Sequence, residues 1–422
     1  MQRSFQGVTT AVLVSVFLAA CGGGGGGDGS TAGNDTQAGA DSLATVTGGS
    51  DLPEKSSGSG DTANEPAPAP DSVRWEVRKV FTDFNPIFTH YQLGLMNSGM
   101  VFGNHVAEQT EDGNLIQNFI VGQSEVLRGT TGMFDQETML AMNRSGQILG
   151  MGQNLLRKNG SPGPSKPKFF LYKYGEYIPV PVGSTLLNDA EHIAGTLGEP
   201  LPNRPGIFKY RAFTYIDGVR TEIPLVPGAV DNFATAMNSK GHVVGYTRNK
   251  RNPIVEANSS AFVYRNGRII ELGKLPGTES CAANDINNRG VIIGTCSGPV
   301  EDGLSGINRP FIYHNGSMTP LPGIGEVWPQ DFEINNAGQI IGNKYIRNDP
   351  NDETPDRFIP FLYSGGTLLD LNELPGIAES GWLIGMALRI NRSGQILALG
   401  LRNDEGGHIL LTPVKTSTAT AQ

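Results

Sequence analysis

Cysteine, histidine and tryptophan are all scarce in this chain: three, six and three among 422 residues. So few thiols exclude a disulfide-dense scaffold. The histidines, at 90, 105, 192, 242, 314 and 408, show no close metal-ligand spacing. Charge is thin as well, at 17% of residues, with 32 basic against 41 acidic groups and a net charge of −9. No block of like charge dominates, which argues against a nucleic-acid partner and leaves the anionic balance to solubility. No Gly-x-Ser-x-Gly elbow occurs. Ser165 and Lys168 match a serine–lysine pair in letters only, within a Pro-rich loop that has no helix to hold the geometry. The first apolar run, Val8 to Ala20, is 13 residues long, short of the ~20 that a membrane-crossing helix needs.

That short run is followed by something specific. Arg3 precedes it, and Leu18-Ala19-Ala20-Cys21 closes it. Six glycines, Gly22 to Gly27, follow at once, each costing about 1 kcal/mol in a helix, so an uncleaved membrane helix is disfavoured. The pattern resembles the lipobox of bacterial lipoproteins. The resemblance implies cleavage before Cys21, a diacylglycerol on its thiol and an acyl chain on the new amine, and more than one chain gives stable anchoring. Gly22 stands where an inner-membrane retention signal has Asp, so an outer-membrane lipoprotein is expected, facing the periplasm or the cell surface. Loss of Arg3 with the signal leaves 31 basic and 41 acidic residues, or −10.

From Gly22 to about Asp71 the chain is mainly Gly, Ser, Thr, Ala, Asp and Pro, with almost no large apolar residues, ending in Pro66-Ala67-Pro68-Ala69-Pro70. Such a segment buries too little surface to offset its ordering entropy. As a flexible chain it spans on the order of 40 Å. The expected organisation is a signal peptide over 1–20, lipidated Cys21 and tether over 21–71, a folded region over 72–414 and a tail over 415–422.

Within the folded region a single phrase returns seven times. Its fullest forms run Ile286-Asn287-Asn288-Arg289-Gly290-Val291-Ile292-Ile293-Gly294 and Ile334-Asn335-Asn336-Ala337-Gly338-Gln339-Ile340-Ile341-Gly342. Copies open at Met142, Met237 and Ile390, where Ala398 replaces the last glycine. The copy at Leu187 lacks the inner glycine, and the one at Leu95 shifts the asparagine to Asn97. The closing positions 103, 150, 195, 245, 294, 342 and 398 give steps of 47, 45, 50, 49, 48 and 56. A steady period of this length suits a propeller blade.

Asn-x-x-Gly between β-branched runs reads as a hairpin, its Gly supplying positive φ. A second hairpin follows each first one, clearest in Ala261-Phe262-Val263-Tyr264-Arg265-Asn266-Gly267 and echoed from Ala212, Pro310, Pro360 and Phe169. Phe and Tyr two apart share a strand face and belong to the core between blades. Two hairpins per period give four strands, so the expected fold is an all-β, seven-bladed β-propeller. The last repeat stops after a third strand at His408–Pro413, and Trp75–Val80 supplies the fourth.

The Ile-Asn-x-x-Gly-x-Ile-x-Gly phrase, the Ala-Phe-x-Tyr-x-x-Gly phrase and the closing His408-x-x-Leu411-Thr412-Pro413 resemble the HAF-repeat extracellular proteins across residues 75–413. The His of that family's triplet is replaced here by Arg211, Ser260, Arg309 and Ile359. The resemblance implies export and a repeat fold and brings no defined activity or cofactor.

Tight turns are expected at one end of the blades, and long connections, over 151–168, 196–210, 246–260, 295–309 and 343–359, at the other. Ligand-binding residues concentrate on such loops. Trp328 and Trp382 lie near inter-repeat Leu-Pro-Gly loops and are the candidates for a ligand face, as stacking partners for a sugar or as packing over the blades. The acidic stretch Asp349–Asp356 is Ca2+-like in oxygen content but has Thr354 where an EF-hand loop needs Gly, so no metal site is expected. Cys281 and Cys296 flank one Asn-x-x-Gly hairpin and are expected to form a disulfide, opposite one another in a simple register and displaced by one if Gly290 forms a bulge. The functional expectation is a monomeric, lipid-anchored binding or scaffold module. A glycan-active hydrolase or lyase, or an envelope assembly partner, is the alternative.

Overall fold

The computed structural model describes residues 73–80, 90–110, 113–121, 126–128, 134, 136–154, 166–251, 258–298, 308–327, 332–346, 357–403 and 405–415. All belong to one compact unit, Pro66–Gln422. The signal segment, Cys21 and the tether through residue 72 lie outside the described residues. Among the described residues the regular structure is β-strand, apart from two short 3-10 turns at Leu371–Glu373 and Ala378–Ser380.

The strands form seven antiparallel sheets, and the fold is a β-propeller. We number the sheets 1 to 7 in the chain order of the repeats. Sheet 4 gives the pattern, two hairpins in a meander: Asp231–Met237, Val243–Arg248, Ser259–Arg265 and Arg268–Glu271. Sheet 6 differs in splitting its first strand into Glu326–Val327 and Glu333–Ile334. Each sheet touches the next, and the first strand of sheet 7, Leu383–Ile390, touches that of sheet 1, His90–Leu95.

Sheet 7 uses both ends of the repeat region. Val73–Lys79 pairs antiparallel with Glu405–Lys415, from Val73 opposite Lys415 to Lys79 opposite Ile409. Trp75 is buried, and its backbone N–H donates to the Pro375 carbonyl at 2.8 Å. The Leu374-Pro375-Gly376 loop presses so closely here that a Cβ on Gly376 would stand 2.0 Å from the Trp75 carbonyl oxygen.

The repeated phrase has a steric logic. Its last glycine pairs across the sheet with the phenylalanine of the second phrase: Gly150 with Phe170, Gly195 with Phe213, Gly245 with Phe262, Gly294 with Phe311 and Gly342 with Phe361. A Cβ on Gly294 would stand 2.2 Å from the Ala282 carbonyl and 2.5 Å from the Phe311 ring. These phenylalanines are buried, so the glycine makes room for the core. In the seventh repeat Ala398 faces Ile409 and not a phenylalanine, and the methyl is accommodated. The Asn-Gly turns place both central residues at positive φ, 51° and 75° at Asn266 and Gly267, as the two-residue hairpin requires.

Candidate functional site

At the turn end, the asparagine opening each Asn-x-x-Gly turn is buried and works twice. In sheet 5 the Asn287 Oδ1 accepts from the backbone N–H groups of Arg289 and Val291, both at 3.0 Å, closing its own turn. Its Nδ2 donates to the Asn335 carbonyl of sheet 6 at 3.2 Å. The same inter-sheet bond runs from Asn143 to Asn188, Asn188 to Asn238, Asn238 to Asn287 and Asn335 to Asn391. Asn391 then donates to the Met96 carbonyl of sheet 1 at 2.8 Å. The outcome is a belt of amides linking successive turns.

Sheet 1 interrupts the belt, because Met96 holds the position of the first asparagine and brings no side-chain donor. Asn97 is not a shifted copy of that asparagine. It occupies the next position, where its Oδ1 accepts from the Arg392 N–H at 2.9 Å, as Asn288 accepts from Ser239. Farther along the strand Asn104 spans this seam, donating to and accepting from the backbone of Met139, as Asn343 does with Ala387 where the belt is intact.

Two residues before the asparagines, charged groups continue the stitching over a stretch of the ring. Asp285 accepts from Ile334 N–H at 2.9 Å, Glu333 from Ile390 N–H at 3.1 Å, and Arg389 donates to the Leu93 carbonyl at 2.8 Å. Burial pushes the Asp285 carboxyl up to about 6, against the opposing pull of its two backbone hydrogen bonds. The equivalent positions in sheets 2, 3 and 4 are Ala141, Leu186 and Ala236.

The loop end is built differently. In sheet 3 the segment expected as a loop over 196–210 is largely strand: Ile193–Pro200 and Phe208–Ile216 pair as far out as Pro200 opposite Phe208. This longer hairpin carries Phe208, Tyr210 and Arg211 to the start of sheet 4. There Asp231 pairs with Arg248 across the first two strands, and Phe233 with Tyr246. The Asp231 side chain is fully buried and accepts from the Tyr210 backbone N–H at 2.8 Å. Three guanidiniums surround it: Arg251 at 3.2 Å, Arg248 at 3.5 Å and Arg211 at 3.7 Å. Arg211 and Arg251 also donate to the Val230 carbonyl, each at 2.7 Å.

Aromatic rings complete the cluster. The Arg248 guanidinium lies 4.5 Å from the Phe233 centroid and 5.5 Å from that of Tyr210. Phe208, Tyr210, Phe233 and Tyr246 follow one another at 6.1, 5.0 and 4.9 Å between centroids. Burial raises the Tyr246 phenol, which therefore stays neutral. The Arg248 Nε is buried with no hydrogen-bond partner. Among the described residues, one carboxylate against three guanidiniums leaves two positive charges in excess, on side chains 17–29% exposed. Chemically this arrangement is suited to holding an anion. Among the described residues, no three His, Cys, Asp or Glu side chains gather as a metal site.

The sequence candidates distribute as follows. Cys281 and Cys296 stand opposite each other and are bonded, with Cα atoms 4.0 Å apart. Gly290 does add a residue to the turn, so that Ile286 faces Ile292; a bulge between Ala283 and Asp285 then takes it back. Trp382 is corrected as a ligand-face candidate. It is 6% exposed, packs in the core with Trp75 and Ile409, and is covered by Arg402 at 4.9 Å. Trp328, Cys21, Ser165 and the 349–356 stretch lie outside the described residues. The arginine cluster escaped the sequence reading, although one signal was present: Arg211 stands in the place of the triplet histidine.

No protein-family model matches the chain, and no curated protein sequence matches it. Solved structures do. An acylaminoacyl peptidase from Pyrococcus horikoshii, in its orthorhombic crystal form, is 12% identical with a TM-score of 0.51, over 82% of this chain and 55% of that one. The uncomplexed form of the same peptidase is 11% identical with a TM-score of 0.50, over 78% and 52%. The β-propeller domain of the Trilobed protease from Pyrococcus furiosus is 12% identical with a TM-score of 0.45, over 68% and 84%. This chain thus spans about half the length of the peptidase it resembles, and at such identity the likeness concerns the fold alone: this protein is a β-propeller chain.

Proposed function

We propose that this protein is a lipid-anchored, extracytoplasmic β-propeller that works as a binding module, presenting its loop end to a ligand. The observation that carries the reading is the contrast between the ends. Belt asparagines are satisfied within the ring, whereas the loop end of sheets 3 and 4 holds a surplus of two positive charges within reach of water. Loops on a rigid scaffold are where binding residues concentrate. The Leu18–Cys21 pattern and the tether support attachment to the outer membrane, so the module acts on neighbours of that surface.

Two experiments test the anchor and the binding role separately. Expressed in a bacterium, the full chain should enter the detergent phase of Triton X-114 and its Cys21→Ala variant the aqueous phase; a wild-type chain in the aqueous phase overturns the anchor. On a glycan array, the full chain should retain a class of acidic glycans that Arg248→Gln loses and the turn-end control Arg144→Gln keeps. No retention, or equal retention by all three proteins, overturns the loop-end binding role.

A further inference from the structure

Resting on that reading, we infer that the cluster of Arg211, Arg248 and Arg251 takes a carboxylated sugar, a hexuronate unit of an acidic glycan. The first argument is charge placement. Asp231 accepts a backbone N–H from the preceding sheet, and in the next sheet Ser280 accepts the equivalent N–H of Ser259 at 3.2 Å. A neutral hydroxyl is therefore enough for the backbone bond. What the carboxylate of Asp231 adds is a fixed point that draws three guanidiniums to one place.

The second argument is surplus. Among the described residues a single buried carboxylate neutralises one of the three cations, and the neighbouring acid Glu199 is engaged with Lys209 at 3.5 Å. Arg211 and Arg251 commit some of their donor capacity to Val230, yet Arg248 has its Nε unpartnered, and all three side chains remain partly exposed. Guanidiniums present planar donor forks that match a carboxylate in bidentate fashion. A second carboxylate, brought by a ligand, matches the charge left over.

The third argument is the shape beside the charge. Phe208 and Tyr210 are half-buried and continue the strip away from Phe233, whose own ring is stacked on Tyr246 and overlain by Arg248. An apolar aromatic strip next to a cationic fork suits a pyranose ring, whose C–H face packs on the aromatics while its carboxylate reaches the arginines. Binding alone is inferred, with no bond-breaking step.

The test is isothermal titration of the full chain in detergent with tetragalacturonate at low salt. Its fully methyl-esterified form and inorganic phosphate serve as separate arms. Binding of the acid is expected, about tenfold weaker or worse for the ester and for Arg248→Gln and Arg251→Gln, and weakened by added salt. Arg251→Gln removes only a loop-borne contact, so it reports on binding even if Arg248→Gln fails to fold. Equal binding of acid and ester, or no binding of the acid, overturns the inference. Phosphate binding as tightly as the uronate overturns the sugar assignment. If the uronate fails while another ligand is retained on the array and lost in Arg248→Gln, the hexuronate falls and the binding module stands.

Discussion

Asn287 at the turn end and Asp231 at the loop end are both short polar side chains, almost fully buried, and both join one sheet to the next. They differ in what they leave over. Asn287 has two acceptor bonds and one donor bond inside the ring, and its neighbours repeat the arrangement sheet after sheet. Asp231 gathers more positive charge than it neutralises, and neither sheet 2 nor sheet 5 copies it: the equivalent residues there are Gln136 and Ser280. Repetition with complete pairing marks architecture, and a local surplus marks a place for something else. In a repeat protein this difference separates structure from site more sharply than burial does.

The largest break in that comparison should come from Asn287→Ala. It orphans the backbone N–H groups of Arg289 and Val291 and removes the inter-sheet donor to the Asn335 carbonyl, which keeps the Gly338 N–H, so a loss of about 3 kcal/mol is expected in urea melts. A loss below ~1 kcal/mol would demote the belt to ornament. Next is Asp285, whose folded carboxyl is raised from 3.8 to about 6. Its charged form is disfavoured in the fold, so its contribution is favourable below about pH 4 and is lost as pH rises through 6. Relative to wild type, Asp285→Asn should therefore gain on the order of 2 kcal/mol between pH 4.5 and 7.5, offset at both pH values by one lost acceptor. Parallel pH profiles for the two proteins would remove that account.

Smaller effects sharpen the contrast from the other side. Met96→Asn supplies the missing belt donor towards the Asn143 carbonyl and should raise stability by up to ~1 kcal/mol, read as a higher melting midpoint. A lower midpoint would show that the sheet 1–2 seam prefers its apolar packing around Met96 and Met139. At the loop end, Arg251→Gln should shift the midpoint least, by under ~1 kcal/mol, because the side chain is partly exposed. A shift as large as that of Asn287→Ala would make the arginine cluster a structural rivet.

Much of the architecture was legible because its signals are local. Asn266-Gly267 states its own turn, and Gly294 with Phe311 states a cross-strand fit through two phrases read separately. The amide belt was half visible: the asparagines were read as turn formers, but a bond from Asn287 to the carbonyl of Asn335, 48 residues on, has no signature beyond the period itself. The arginine cluster was hidden for a different reason. Arg211, Asp231, Arg248 and Arg251 belong to two repeats and follow no repeat rule, and the strand extension that carries Arg211 outward had been read as loop. Trp382 shows the converse, since nearness to a loop in sequence did not keep its ring out of the core.

The pairing of Val73–Lys79 with Glu405–Lys415 also has a meaning in time. The strand made first in the repeat region is used last: its Lys79 waits for Glu405, 326 residues later. Contacts so distant in sequence form slowly, and until they form two sheet edges stand open to wrong partners. A chain cut short anywhere before residue 405 keeps both edges. Cover for the borders of the seventh sheet is therefore delayed until residues 405–415 exist to meet Val73–Lys79.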